Sequence, residues 1–241
     1  MNQPVNTISV RERIFKEVHI ERRLKNSSQI YLPSQFMEMA HRQYSAKRLF
    51  DVLLASVALL FFSLLFPFIA AGIKISSRGP IIFKQKRTGL NGHPFICYKF
   101  RTMSQVTKKQ QNGKPDITYK GDMRVYRFGQ FLRRSNLDEL PQIINVLKGD
   151  MSIVGPRPYP VQECAHWNTI FDDFYYRYAV KPGITGYAQV KGYRGGTLDE
   201  ALMRKRTDLD LIYTQKKSLL LDMKVVAATA LQMIRFDTNG H

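Results

Sequence analysis

The chain is short of cysteine, histidine and negative charge, and each shortage narrows what it can be. Its two cysteines, Cys97 and Cys164, stand far apart without metal-ligand spacing and supply no disulfide framework, a pattern compatible with a reducing compartment. Five scattered histidines form no zinc cluster. Acidic residues are outnumbered 19 to 37 by Lys and Arg, for a net charge of +18, and none lies between Val52 and Pro115. Such a field draws polyanions: nucleic acid, anionic lipid head groups or phosphorylated substrates. No helix-turn-helix, zinc-finger or RNP-like motif is present and the cations are spread along the chain, so no nucleic-acid partner is expected. At 241 residues there is room for one domain of ordinary size and a membrane element.

What the chain does have is an uncharged apolar run of 22 residues, Val52 to Ile73, with one proline, Pro67, inside it. About 20 residues suffice to cross a bilayer. Pro67, however, removes a helical hydrogen bond and clashes with the carbonyl at Ser63, a usual place for a kink. A spanning helix also separates a basic side from a less basic one. Here both flanks are basic: residues 1–50 carry nine Lys/Arg and four Glu, and Lys74 to Arg101 carries seven and no acid. The two-sided charge favours a helix that dips into one leaflet, bends at Pro67 and returns, over a kinked anchor that spans. Leu59 to Phe66 is apolar on every face, which disfavours a buried soluble helix. The run's position and flanks are wrong for a cleaved signal peptide.

Three regions follow. Residues 1–45 form a polar, basic arm with a short helix around Val10–Leu24. Residues 46–76 are the membrane helix, with Lys47 and Arg48 placed to meet phosphate head groups. Residues 77–241 are the cytoplasmic domain. Within it, 81–86 and 95–101 read as strands joined by the Gly89-Leu90-Asn91-Gly92 turn, a small β-hairpin. Residues 105–121, rich in Lys, Gln, Gly and Pro, read as a loop. Val125, Phe128, Phe131 and Leu132 have helical spacing. Ser135 and Asp138 mark a capping-box start for a helix that Gly149 ends. Residues 198–216 and 219–236 are amphipathic; the last either lies flat on the bilayer or serves as a core helix. The fold class is therefore α/β and helix-rich, that of a monotopic membrane protein with a Pro-broken re-entrant helix.

Asp138 and Glu139 are the candidate chemistry. A carboxylate at a helix N-terminus is kept ionised and nucleophilic, although the pair alone is better explained as charges that merely satisfy the helix dipole. The neighbours add to it. Arg133 and Arg134 precede the pair, and Arg157 stands between Pro156 and Pro158. Lys99 and Arg101, two apart on a strand, share a face. Carboxylates ringed by cations suit a substrate with two phosphates and a divalent metal between them.

Five stretches carry a family resemblance: KRLFDVLLA (47–55), SRGPIIFKQKRTGLNGHPF (77–95), YKFRTM (98–103), LRRSNLDELPQIINVLKGDMSIVGPRP (132–158) and KPGITGYAQVKGYRG (181–195). From Lys47 to about Gly196 the chain resembles the bacterial sugar transferases, the monotopic phosphoglycosyl transferases. The resemblance implies transfer of a sugar 1-phosphate from a UDP-sugar to undecaprenyl phosphate at the cytoplasmic face of the bacterial inner membrane, starting exopolysaccharide, capsule or O-antigen synthesis. It implies Asp138 as nucleophile through an aspartyl phosphosugar, Glu139 in support of a metal or of the second step, and Mg²⁺ held by Asp138 and Glu139. Lys99, Arg101, Arg133 and Arg157 match the cations around the phosphates. The 181–195 stretch resembles the hexose (glucose or galactose) branch more than the amino-sugar one. One departure is Phe66-Pro67 where relatives often have Ser-Pro at the membrane bend; Ser63, four residues before Pro67, would take a related role. Larger relatives add N-terminal membrane helices and a further domain, so the chain looks like a stand-alone catalytic core. An isologous homodimer is the default assembly. Two further readings are a membrane-tethered nucleic-acid-binding protein and a silent scaffold that recruits later enzymes; the intact acid pair and arginines disfavour the scaffold.

Overall fold

The computed structural model describes residues 44–104, 122–195 and 199–235. The N-terminal arm, its expected helix around Val10–Leu24 and the 105–121 loop lie outside these residues.

Helix α1 (Tyr44–Ser76) is 33 residues long, with Pro67 inside it. Among the described residues it is the one helix long and apolar enough to cross a membrane. Pro67 has no N–H for the Ser63 carbonyl, and the Ser63 hydroxyl donates to the Leu60 carbonyl (2.7 Å) instead of serving the freed group. The helix nonetheless runs on through Pro67, without the expected break. Asp51, Ala55, Phe62, Ile69 and Ile73 are buried, at the spacing that keeps one helical stripe against a partner. Leu49, Leu53, Val57, Leu60, Phe61, Leu64 and Phe68 remain exposed. The mid-helix rings of Phe62 and Phe66 lie 5.8 and 6.0 Å from Phe100. At Gly72 a β-carbon would stand 2.5 Å from the Phe128 ring, so a larger residue there would require that ring to shift.

Strands β1 (Ile82–Thr88) and β2 (Pro94–Phe100) form the expected antiparallel hairpin, in register from Ile82↔Phe100 to Thr88↔Pro94. Asn91 at its tip takes a left-handed conformation (φ 54°), which asparagine tolerates. Helix α2 (Arg127–Arg134) follows. The capping box does not form. Ser135 Oγ donates back to the carbonyls of Phe131 and Leu132, so it closes α2 instead of opening the next helix. Asn136 turns left-handed (φ 59°), and Leu137–Glu139 is one 3-10 turn. The α-helix proper, α3 (Gln142–Lys148), begins only after Pro141, whose fixed φ suits a helix start. Gly149 ends it at φ 91°, as expected. The fully buried Asn145 of α3 inserts its amide into the free edge of β2, donating to the Ile96 carbonyl (2.7 Å) and accepting from the Tyr98 N–H (3.1 Å). This bond fixes Lys99 on β2 relative to the turn that carries Asp138 and Glu139.

The rest wraps this centre. Strand β3 (Ser152–Val154) pairs in parallel with β4 (Gly183–Thr185). Helix α4 (Val161–Ile170) lies between them in sequence, and α5 (Tyr187–Val190), α6 (Glu200–Lys216) and α7 (Leu219–Ile234) follow. A β-carbon on Gly183 would lie 2.1 Å from the Gly155 nitrogen, so backbone packs on backbone where the 155–158 loop leaves the sheet. The expected 219–236 helix serves on both sides. Asp222 and Val225 are buried against the domain, while Leu219, Leu220, Met223, Leu231 and Met233 face outward. The structure is a helix-rich α/β arrangement with two small sheets.

Candidate active site

Glu139 is the centre of the site. Lys99 Nζ lies 2.7 Å from Oε1, and Arg157 forks onto both oxygens, Nη2 to Oε1 at 2.7 Å and Nη1 to Oε2 at 3.2 Å. Arg194 Nη2 stands 3.8 Å from Oε2. Bidentate guanidinium–carboxylate pairs of this kind fix orientation as well as charge. Burial alone would raise the Glu139 carboxyl, but the charges of Arg157, Lys99 and Arg194 and the Arg157 hydrogen bonds outweigh it and hold it well below its usual range.

Asp138 is the opposite case. No hydrogen bond or ion pair engages its carboxylate among the described residues, although Lys99, Arg133 and Arg157 surround it electrostatically. Burial, helped by the adjoining Glu139 charge, pushes Asp138 above the usual aspartate value despite those cations. The expected α-helix dipole does not hold it down, because a 3-10 turn and Pro141 separate it from α3. Arg133 is fixed by its Nε donating to Thr102 Oγ1 (2.8 Å). Two adjacent carboxyls are therefore driven apart, which is how neighbouring acids acquire different tasks. The four cations outnumber the two carboxylates, so the site retains positive charge for an anionic ligand.

The sequence-predicted residues divide accordingly. Asp138, Glu139, Lys99, Arg133 and Arg157 come together. Arg101 does not. It follows the last residue of β2 and is buried, donating from Nε to the Pro80 carbonyl (2.6 Å), from Nη1 to Ser77 Oγ (2.7 Å) and from Nη2 to the Ser77 carbonyl (2.7 Å). It fastens the C-terminal end of α1, a role basic side chains take at helix ends. Lys47 and Arg48 are also engaged inside the protein. Lys47 Nζ donates to Asp222 Oδ2 (2.6 Å) and to the Val154 carbonyl (3.1 Å). Arg48 donates to the carbonyls of Val146 (2.6 Å) and Leu147 (2.9 Å), at the end of α3. Lys47 thus has an acidic partner, and Arg48 has carbonyl acceptors, within the protein. Asp51 adds to this clamp by accepting from Ser152 Oγ (2.9 Å) and the Ile153 N–H (3.0 Å) on β3. The first turns of α1 therefore hold α3 and β3, the elements that follow Glu139 and precede Arg157. Sequence reasoning missed Arg194 as a site residue; the Tyr193-Arg194-Gly195 context in the 181–195 stretch was its only signal.

One long apolar helix and a carboxylate pair ringed by cations share this fold, and the excess of positive charge suits an anionic ligand. Residues 42–236 match the family described as bacterial sugar transferase, and the chain belongs to that family. It is 47% identical over 189 residues to a UDP-glucose:undecaprenyl-phosphate glucose-1-phosphate transferase of Xanthomonas campestris pv. campestris, covering 78% of this chain and 39% of that one. A protein of the same name from Caulobacter vibrioides is 42% identical over 193 residues, covering 79% of this chain and 70% of its own length. A UDP-N-acetylgalactosamine-undecaprenyl-phosphate N-acetylgalactosaminephosphotransferase of Aeromonas hydrophila is 40% identical over 183 residues, covering 76% and 42%.

Proposed function

We propose that the protein moves a sugar 1-phosphate from a UDP-sugar to undecaprenyl phosphate, with UDP-glucose the favoured donor. The observation that carries this reading is the division of labour in the acid pair: no hydrogen bond or ion pair among the described residues engages the Asp138 carboxylate, while that of Glu139 is held by Lys99, Arg157 and Arg194. An Asp138 oxygen attacks the phosphorus that bears the sugar. The bond from that phosphorus to the bridging oxygen breaks, and UMP leaves with the electron pair. A phosphate oxygen of undecaprenyl phosphate then attacks the same phosphorus, forming undecaprenyl diphosphate sugar and returning the Asp138 carboxylate. Division into two displacements is the logic of covalent catalysis and gives ping-pong kinetics. Lys99, Arg133, Arg157 and Arg194 supply fixed positive charge where the phosphoryl group develops negative charge. Glu139, held well below the usual carboxylate range, is a poor proton acceptor at neutral pH. Its task is to hold three mutually repelling cations in place.

Magnesium fits only in a reduced form. Among the described residues no three His, Cys, Asp or Glu side chains gather, and the Glu139 oxygens face cations. Asp138 is the residue that would hold the ion, with phosphate oxygens completing its shell, as Mg²⁺ prefers. Bound there, it would neutralise charge on the diphosphate.

The membrane placement rests on α1 and α7. Phe62 and Phe66, at the middle of α1, pack on Phe100, and the two ends are fastened through Arg48 and Arg101 to the same body. A spanning helix would carry its middle, and the domain with it, into hydrocarbon. The exposed apolar faces of α1 and α7 suit a monotopic protein seated in one leaflet, on the cytoplasmic side of the inner membrane, although α1 runs on through Pro67 without the expected break. There the lipid phosphate stays at the head-group plane, since withdrawing its tail costs ~0.8 kcal/mol per CH₂.

The test is UMP release by the purified protein from UDP-glucose, UDP-galactose and UDP-N-acetylgalactosamine, with undecaprenyl phosphate and Mg²⁺. Release is expected, and fastest from UDP-glucose; preference for the N-acetylated donor would assign the amino-sugar reading instead. The pH profile adds a second expectation. Asp138 acts ionised, and its carboxyl lies above the ordinary 3.8, so kcat/KM falls on acidification through a value above 3.8. Glu139 is depressed on folding, so its stabilisation is complete above the ordinary 4.5 and is lost only as pH falls through its lower folded value. Activity should therefore fail at a higher pH than the Glu139 contribution to stability, as kcat/KM and Tm followed over the same pH series would reveal.

A further inference from the structure

Behind the arginines that face Glu139 lies a second charged cluster. Helix α6 places Arg206 and Asp210 one turn apart, and the 3-10 segment Phe174–Ala179 brings Arg177 to them. All three are almost wholly enclosed, with Arg177 and Arg206 each 2% exposed and Asp210 3%. Arg177 donates to Asp210 Oδ2 from Nη2 (2.6 Å) and Nε (3.1 Å). Its guanidinium lies 4.5 Å from the Tyr159 ring centroid and 5.0 Å from that of Phe174. Asp210 also acts electrostatically on Arg206.

Arg177 Nη2 and both terminal nitrogens of Arg206 also reach main-chain carbonyls of the site, while Arg206 Nε is buried without a partner among the described residues. Arg177 Nη2 donates to the Arg157 carbonyl (2.8 Å). Arg206 Nη2 donates to the Arg194 carbonyl (2.7 Å) and its Nη1 to the Gly195 carbonyl. The loop carrying Arg157 is held along its length: Lys47 takes the Val154 carbonyl, the Gly183 N–H takes that of Pro156 (3.0 Å), and Arg87 takes that of Pro158 (2.6 Å). A buried ion pair is weak grounds for stability, since well-packed apolar side chains often do as well. A need to aim two guanidinia accounts for its placement here.

We infer that Arg177, paired with Asp210, and Arg206, one helical turn before that aspartate, are positioning residues: they set the main chain of Arg157 and Arg194 so that both side chains converge on Glu139 and the donor diphosphate. The inference rests on the function proposed above. Neither residue touches the reacting atoms, so their effect must pass through Arg157 and Arg194.

Arg177→Lys tests this, because an ammonium keeps the charge beside Asp210 but lacks the planar fork that reaches two acceptors at once. In full-length protein in lipid nanodiscs, a cycle of wild type, Arg177→Lys, Arg157→Lys and the double variant is read in kcat/KM for UMP release from UDP-glucose and in UDP affinity. Arg177→Lys is expected to lower kcat/KM by roughly 10–100-fold, the scale of loss from a displaced positioning group. Added to Arg157→Lys it should cost no more than about twofold, because coupled residues are non-additive. Full additivity, or an Arg177→Lys variant with wild-type kinetics, overturns the inference. Should Arg177→Lys not fold, the cycle of Arg206→Lys with Arg194→Lys decides on the same terms. Absence of UMP release by the wild type would defeat the functional reading and this inference together, whereas an active wild type with additive losses defeats the inference alone.

Discussion

Asp138→Asn abolishes UMP release, lowering turnover by at least ~10⁴-fold, the scale on which an enzyme loses its covalent nucleophile. The amide is nearly isosteric but has no anionic oxygen to attack phosphorus. The fold should not suffer, since no hydrogen bond or ion pair among the described residues engages Asp138 and its burial already disfavours the charged form. Membrane association should also be unchanged, because it rests on the exposed faces of α1 and α7. Turnover near the wild-type level in a folded, membrane-bound Asp138→Asn protein would contradict the assignment.

Glu139→Gln is the second large effect, and it differs in kind. The change leaves Lys99, Arg157 and Arg194 converging on a neutral amide. Removing one partner of a buried ion pair costs roughly 3–5 kcal/mol, for a fall in Tm on the order of 10 °C in a domain of this size. Turnover falls ~10²-fold as the fixed charges splay from the transferring phosphoryl group. UDP affinity survives, because the positive excess grows. With the Glu139 charge gone, Asp138 loses a neighbour that raises its carboxyl, so the acid limb of kcat/KM moves to lower pH. Loss of kcat with retained UDP binding and lowered Tm is the expected combination, read by steady-state kinetics, calorimetry and thermal denaturation. Wild-type stability in this variant would contradict the central role given to Glu139.

These expectations draw on residues that differ in how visible they are in sequence. The hairpin is legible because Gly89-Leu90-Asn91-Gly92 supplies turn chemistry between two apolar runs. Asp138, Glu139, Lys99, Arg133 and Arg157 are legible because acids are rare in this chain and Pro156 and Pro158 frame their arginine. The capping box misleads because Ser135 has a nearer acceptor in the α2 carbonyls, and Pro141 moves the α-helix start past the acid pair. Arg101, Lys47 and Arg48 mislead for a different reason. A cation in sequence looks the same whether it faces phosphate, lipid or an internal carbonyl, and here carbonyls and Asp222 take them. Nothing local in the sequence marks Arg177, Arg206 and Asp210 as buried. The Arg194 contact with Glu139 joins residues far apart in the chain, and no short-range pattern reports it.

The most direct measurement of the central claim is the mass of the protein after incubation with UDP-glucose and Mg²⁺ in the absence of undecaprenyl phosphate. A single added hexose phosphate on the peptide containing Asp138, absent in Asp138→Asn and discharged by undecaprenyl phosphate, is the predicted result. An active enzyme that transfers glucose 1-phosphate without ever carrying that adduct would contradict the covalent mechanism and return Asp138 to the role of a bystander charge.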